Sequence, residues 1–504
     1  MKPVDNFLNG ITMYRLVFYG LICLSVISII FSFFGFVSYS PLSLIYSVLF
    51  LVGVCYISNI FFAKFFKVQT NTESAWITAL ILFFIVFPLE SISDLKTIAL
   101  VGVLAMASKY LLAIKKKHIF NPAAISIFLL GLFGSGIASW WVGTPAMLIP
   151  TAILGFLILK KVKRFELFFT FLFVSLISTL IFNYSNYSFY EILKSVFLSG
   201  PLIFFGTIML TEPLTTPPTK ELQVIYGAIV GALFGAQFSF GPIYSTPALA
   251  LIIGNLFSYI VSPRERLVLT LVAKSKLSKD IYEFAWGSSD KLKFKAGQYL
   301  EWTLGHKRPD MRGNRRFFTI SSSPAEENLK IGVKFYENSS SWKKKLISLE
   351  VGDKIIASQL SGEFTLSDDP KEKLVFIAGG IGVTPFRSMI KNLLDKKESR
   401  DIILLFSNKT PTDIVYKDIF DEAEKIVGLK TIYFVGDLAG EPSGDNFRVG
   451  IINEETIKKE ILDYKERKFY ISGSHSMVSS FKNALKKTGI KRSKIKTDFF
   501  HGYV

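Results

Sequence analysis

Ten apolar stretches between residues 14 and 262 constrain this chain more than anything else in it. They run 14–38, 42–66, 74–89, 95–114, 122–139, 145–161, 164–184, 190–210, 222–237 and 243–262. Most approach the ~20 residues that an α-helix needs to cross a hydrocarbon core, and the third and fifth are the shortest. An α-helical polytopic membrane domain of about ten helices is therefore expected over residues 1–262. The first run is too long for the apolar core of a signal peptide, so it is expected to stay as a helix in the bilayer.

Basic residues set the expected orientation. With Met1 in the cytoplasm, the inside loops carry Lys64, Lys67, Lys115 to Lys117, Lys160, Lys161, Lys163, Arg164, Lys220, Arg264 and Arg266. The outside loops hold Glu90, Asp94, Trp140, Trp141 and the stretches 183–188 and 237–241, with Lys96 the main exception. An even helix count returns the chain to the inside. The expectation is a multi-pass protein of the cytoplasmic membrane, in contact with the lipid bilayer, with both termini cytoplasmic.

Net charge is +18, which suits a cytoplasmic membrane surface. It does not suit nucleic-acid binding, because no basic recognition module accompanies it. The two cysteines, Cys23 and Cys55, lie in apolar runs and read as structural thiols. His118, His306, His475 and His501 never fall two to a span, which argues against a haem-bridged membrane core.

After Pro263 the pattern changes to short, charged, alternating segments. Leu267 to Val272 and Ile281 to Trp286 read as strands, and a small antiparallel β-barrel is expected over 263–370. From residue 371 to 504, strand and helix alternate: 374–378, 386–394, 402–406, 414–424, 431–435, 454–461, 468–471 and 477–487. That alternation predicts an α/β doubly wound parallel sheet, whose ligands lie beyond the strand C-termini. The chain is thus read as multi-domain, with the barrel and the α/β domain following the membrane part.

The stretch Phe376-Ile377-Ala378-Gly379-Gly380-Ile381-Gly382-Val383-Thr384-Pro385 joins a buried strand to a helix through three glycines. Glycine allows close backbone approach, and the helix start offers N–H groups to a pyrophosphate. The alternative is a plain strand-to-helix turn. Ser407-Asn408-Lys409 and Ser472-Gly473-Ser474 follow two other strands and fall at the same edge. In Arg316-Phe317-Phe318-Thr319, alternation puts Arg316 and Phe318 on one face. A guanidinium can hold a diphosphate with forked hydrogen bonds, and an aromatic ring offers a face for stacking. A strand with a surface arginine is the plainer alternative.

In order and spacing, Arg316 to Thr319, the glycine stretch, Tyr470 to Met477 and the terminal Asp498-Phe499-Phe500-His501-Gly502-Tyr503 resemble the ferredoxin–NADP reductase-type flavoprotein family. The resemblance covers roughly the last half of the chain. It implies FAD held by Arg316, Phe318, Thr319, Ser339, Ser340 and Ser341. It implies NAD(P)H held by Gly379, Gly380, Gly382, Thr384, Pro385, Ser407 and Gly473. Ser472 stands where the family usually has a cysteine beside the nicotinamide, and Tyr503, with Phe500 as the other candidate, where an aromatic covers the flavin. These two, Ser472 and Tyr503, are the catalytic candidates, with slower hydride transfer expected from the serine. Lys409 does not decide between NADH and NADPH.

Within the first half, Ser108-Lys109, Asn121-Pro122-Ala123 and Met209-Leu210-Thr211-Glu212-Pro213-Leu214-Thr215 resemble the RnfD/NqrB-type membrane subunits of ion-translocating oxidoreductases. This implies a flavin site, FMN or riboflavin, near Asn121, Thr211, Glu212 and Thr215. Glu212 replaces the usual aspartate. The Ser-Gly-Ala-Thr motif that takes FMN covalently has no counterpart between Asn183 and Gly200, so non-covalent binding is expected. No metal site is expected.

Together these readings describe a membrane-bound NAD(P)H-oxidising reductase. It would pass electrons through FAD to a membrane flavin, quinone or extracytoplasmic redox partner. The other reading is a transporter whose C-terminal half is a redox-sensing regulator.

Overall fold

The computed structural model describes residues 2–68, 72–114, 117–134, 136, 138–262, 267–288, 291–306, 309–310, 313–436 and 444–498. The chain divides into two compact units, Met1–Glu265 and Arg266–Val504.

The first unit is helical. A short helix α1 (Lys2–Gly10), in a stretch the hydropathy leaves featureless, precedes α2 (Met13–Phe33) and α3 (Pro41–Phe65). Then come α4 (Thr72–Ile85), α5 (Asp94–Leu111), α6 (Pro122–Leu132), α7 (Pro145–Val162) and α8 (Phe165–Asn183). The last members are α9 (Phe189–Leu198), α10 (Leu202–Phe204) running into a π-helical turn at Phe205–Met209, α11 (Lys220–Gly235) and α12 (Pro247–Val261). Among the described residues four helices, α2, α3, α7 and α8, are long and apolar enough to cross a membrane. The pair from Phe189 to Met209 passes the same test together but bends by 55° between its halves. The break falls at Gly200-Pro201, where proline removes a helix donor. Helix α6 stops at Leu132, short of the expected 122–139, and the last stretch begins helix only at Pro247, after a hairpin of 239–240 with 243–244.

Local chemistry explains the helix starts. Thr12, Ser40, Asn121 and Thr246 each accept a backbone N–H of the first turn, and Pro41, Pro122 and Pro247 follow as pre-organised first residues. Gly227, Gly231 and Gly235 recur every fourth residue of α11. A Cβ at these positions would lie 2.9 Å from Leu167 O, 2.8 Å from Phe171 O and 2.5 Å from Thr179 N. This glycine stripe lets α11 press its backbone onto α8.

The second unit holds two sheets. The first is antiparallel, with strands β1 (Leu267–Lys276), β2 (Ile281–Gly287), β3 (Tyr299–Thr303), β4 (Arg315–Thr319), β5 (Leu329–Lys334) and β6 (Lys354–Ser361) in the order β4-β3-β6-β1-β2-β5. It encloses one core of Leu269, Phe284, Trp286, Trp302, Ile331 and their neighbours. Helix α13 (Ser341–Ile347) lies between β5 and β6 and plugs that core with Trp342 and Leu346. Strand β3 starts at Tyr299, directly after Gly297 turns the chain at φ 94°.

The second sheet is parallel throughout. Its strands are β7 (Leu374–Gly379), β8 (Ile402–Asn408), β9 (Leu429–Val435), β10 (Phe447–Val449), β11 (Lys468–Ser472) and β12 (Ile495–Asp498). The order is β10-β9-β8-β7-β11-β12, so the direction of winding reverses at β7. Strands β10 and β12 lie outside the sequence expectation: one has three residues, the other four. Helices α14 (Thr384–Lys396), α15 (Lys417–Ile426), α16 (Glu454–Glu460) and α17 (His475–Lys487) complete the crossovers. The two sheets share a core in which Ala296 and Phe364 pack with Phe386 and Met389 of α14.

Candidate functional site

Strand β7 is buried along Leu374 to Ala378 and ends at the point where the sheet reverses. Ligands in such sheets lie beyond that switch. A 3₁₀ turn, Gly380–Val383, links β7 to α14, with Thr384 and Pro385 in the first turn. Gly380 has φ +50°, left-handed backbone that a side chain strains. A Cβ on Gly382 would lie 2.6 Å from Gly473 Cα and 2.7 Å from Ser472 O. A Cβ on Gly379 would meet Met477 Sδ at 2.0 Å. So Gly379, Gly380, Gly382, Ser472 and Gly473 form one bare cradle, with Met477 as its floor. Thr384 Oγ1 turns back to Ile381 O at 3.2 Å, and the Thr384 N–H bonds the same carbonyl.

Ser407 pairs with Gly379 across the β7–β8 ladder, at the same edge. Its neighbour Asn408, expected at the same edge, is the informative member. Its carboxamide is buried, and neither Nδ2 nor Oδ1 has a hydrogen-bond partner among the described residues. An orphaned buried amide at a ligand edge offers one donor and one acceptor group for a bound molecule to satisfy.

In the antiparallel sheet, alternation along β4 does place Arg316 and Phe318 together, and Trp342 lies beside both. The Phe318 ring stacks on Trp342 at 5.3 Å, and Arg316 Cζ lies 5.9 Å from the indole centroid. Arg316 is buried and donates to Gly313 O and Arg315 O. Ser341 opens α13 nearby, and its N–H donates to Asp310 Oδ2 at 2.9 Å. Asp310 also lies 3.8 Å from Arg316 Nη2, so guanidinium and helix start both accept an anion here. Ser340 caps the helix, while Ser339 bonds back to Tyr336. Thr319 Oγ1 is buried without a hydrogen-bond partner among the described residues, as a hydroxyl awaiting a flavin edge would be. Cradle, orphaned hydroxyl and orphaned amide all fit a flavin beside a dinucleotide. Tyr503 and Phe500 lie outside the described residues.

In the helical unit, three of the four expected residues meet directly. Asn121 Nδ2 donates to Glu212 Oε2 at 2.8 Å, and Thr215 Oγ1 donates to the same oxygen at 3.3 Å. Thr211 is buried alongside but turns its hydroxyl to Thr207, and its carbonyl accepts from Arg164. The sequence reading lacks Asn255, whose Oδ1 accepts the Asn121 N–H and whose Nδ2 reaches Tyr226. It also lacks His118, with Nε2 3.8 Å from Glu212 Oε1. Two cavities described in this unit, of ≈ 500 Å³ beside Leu49 and ≈ 320 Å³ beside Tyr39, do not border this cluster.

Residues 376–483 match the family model described as "Oxidoreductase NAD-binding domain". The glycine betaine monooxygenase reductase subunit of Chromohalobacter salexigens is 29% identical over 206 residues, 40% of this chain and 54% of that protein. A flavohemoprotein of Bacillus subtilis is 27% identical over 243 residues, 47% of this chain and 60% of that one. NADH-cytochrome b5 reductase 1 of Coccidioides immitis is 24% identical over 321 residues, 62% of this chain and 96% of that one. The chain spans little more than half the length of the first two. Its C-terminal half is thus similar to NAD-dependent oxidoreductases, with the match to their NAD-binding domain at residues 376–483.

Proposed function

We propose that the chain is a membrane-bound reductase that oxidises NAD(P)H through FAD and delivers the electrons to a carrier in its helical half. The observation that carries the reading is the bare cradle at the reversal point of the parallel sheet, within the same compact unit as the Arg316–Trp342–Phe318 seat. Relatives named as reductases support it.

In this reading residues 263–370 bind FAD, residues 371–504 bind the nucleotide, and residues 1–262 form the membrane domain. Gly379, Gly380 and Gly382 admit the nucleotide diphosphate to backbone N–H groups, and Thr384 and Pro385 start the helix whose dipole faces it. Ser407 and Asn408 hold the nucleoside side, and Ser472 with Gly473 borders the nicotinamide. Arg316 and Ser339 to Ser341 hold the FAD diphosphate, with Asp310 giving way to it. Phe318 backs the isoalloxazine and Thr319 bonds its edge. Tyr503 is proposed as the ring that shields the flavin face until the nicotinamide displaces it. Bound FAD supplies the two-electron to one-electron conversion, taking a hydride from nicotinamide C4 and releasing electrons singly.

For the helical half, the cluster of Asn121, Thr211, Glu212 and Thr215 is proposed to bind a flavin non-covalently, FMN or riboflavin, in the manner of RnfD/NqrB-type subunits. The acceptor beyond it is quinone or an extracytoplasmic redox protein. The deciding experiment is flavin extraction from the detergent-purified chain, followed by anaerobic titration with NADH and NADPH. Two flavins per chain, both bleached by nucleotide, support the reading. One flavin, with none in the helical half, supports a regulatory module on a transporter.

A further inference from the structure

Arg387 lies one turn into α14, three residues after Thr384, yet its side chain reaches the other sheet. Its Nη2 donates to Glu326 Oε1 at 3.0 Å, and Nη1 pairs with Glu326 Oε2. Nη1 also donates to Ser321 O at 2.9 Å. Arg387 is 3% exposed, and its Cζ lies 5.6 Å from the ring centroid of Tyr416, at the start of α15. Next to it, Ser388 Oγ donates to Ser322 O at 2.6 Å. Glu326 is itself held by the Ser323 N–H at 2.6 Å and Lys330 Nζ at 2.9 Å.

We propose that Arg387 and Glu326 are positioning residues that set the distance between the nucleotide seat and the flavin seat. The Arg387–Glu326 pair is anchored at both ends within a few residues of a proposed ligand seat. On one side α14 begins at Thr384, directly after the glycine turn. On the other, Ser321 follows Thr319 by two residues, and both Ser321 and Ser322 receive α14 donors. The apolar contact between the sheets, such as Phe364 on Phe386 at 5.6 Å, attracts without fixing direction. A forked guanidinium–carboxylate pair fixes both distance and angle. Hydride transfer needs donor and acceptor atoms about 3–3.5 Å apart, and a misplacement of about 1 Å costs on the order of 100-fold. Apolar packing alone leaves room for such a slip. The inference rests on the FAD and nucleotide seats proposed above.

The test uses the full chain in detergent with the variants Arg387→Met and Glu326→Gln. FAD content, nucleotide dissociation constant, and the rate of flavin bleaching with NADH and with C4-deuterated NADH are measured. Hydrogen exchange is followed separately in the flavin-free chain. Arg387→Met and Glu326→Gln are expected to keep FAD and to bind nucleotide within about twofold, while bleaching slows about tenfold or more. In the flavin-free chain, segments 319–326 and 384–390 gain exchange together, while β8 and β9 stay protected. Unchanged bleaching with FAD retained overturns the proposal. So does loss of protection across the whole parallel sheet, which marks a merely structural pair. If Arg387→Met does not accumulate, Glu326→Gln carries the same test, and an unchanged rate there overturns the proposal. A native chain whose flavin neither NADH nor NADPH bleaches overturns the functional reading itself, and the positioning role with it.

Discussion

Gly382 and Gly473 meet backbone to backbone: a Cβ on Gly382 would sit 2.6 Å from Gly473 Cα and 2.7 Å from Gly473 N. Main chain cannot rotate aside as a flexible side chain does. Gly382→Ala must therefore spread the turn after β7 from the turn after β11. The expected result is at least about tenfold weaker nucleotide binding with FAD content unchanged, measured by NADH titration. Gly380→Ala meets open space and strains only φ, costing about 1–2 kcal/mol. Its effect is expected on the melting temperature more than on affinity.

Asn408 separates stability from binding. An unsatisfied buried amide costs about 1–3 kcal/mol of desolvation. Asn408→Leu, similar in size, is expected to leave the nucleotide-free protein as stable as before, or more so, while nucleotide affinity falls about tenfold. Thermal melts with and without NADH give both numbers. A melt that drops without nucleotide would mean that Asn408 is structural.

Burial by itself would raise the Glu326 carboxyl, but the Arg387 guanidinium, the Ser323 N–H and Lys330 outweigh it and hold the group down at about 2. A depressed carboxyl stabilises the fold above its unfolded value and loses that contribution as pH falls through the folded value. The pair is therefore fully stabilising above about pH 5 and worth at most about 3 kcal/mol. Melting curves of the native chain and Glu326→Gln should differ by a constant gap from pH 8 to pH 5. The gap should close between pH 4.5 and pH 2.

Asn121 does two jobs at once. Its Oδ1 caps α6 by accepting from the Ala123 and Ala124 N–H groups, and its Nδ2 donates to Glu212. Asn121→Asp keeps the cap but turns an acceptor toward the Glu212 carboxylate. Flavin content is expected to fall from two per chain to one, with NADH bleaching of the remaining flavin intact. The denatured native chain should show no flavin fluorescence in a gel, as non-covalent binding requires.

Much of the second unit was legible because its signals are local. A buried run ending in glycines, a period-two strand such as Arg316 to Thr319, and a proline-led helix start are each written within ten residues of sequence. Of the ten apolar stretches, four give helices long and apolar enough to cross a membrane among the described residues, and α6 ends early where the N–H of Phe133 closes back on Leu130. What sequence could not supply is which distant groups meet. Asn121 finds Asn255 across 134 residues, and Arg387 finds Glu326 across 61. Those partners are selected by packing of whole elements, since a buried charge or amide must be satisfied by whatever the fold brings near it. The amino-acid order by itself determined the local features: a glycine turn before a helix, a strand with arginine and aromatic on one face, and polar breaks in apolar helices. The tertiary structure alone decided that β7 lies at the reversal of the sheet, that Met477 packs against Gly379, and that the Arg387 guanidinium meets Glu326 and Ser321 O. The reason is physical: side-chain chemistry is a property of each residue, whereas distance between residues far apart in sequence exists only after the chain has closed on itself.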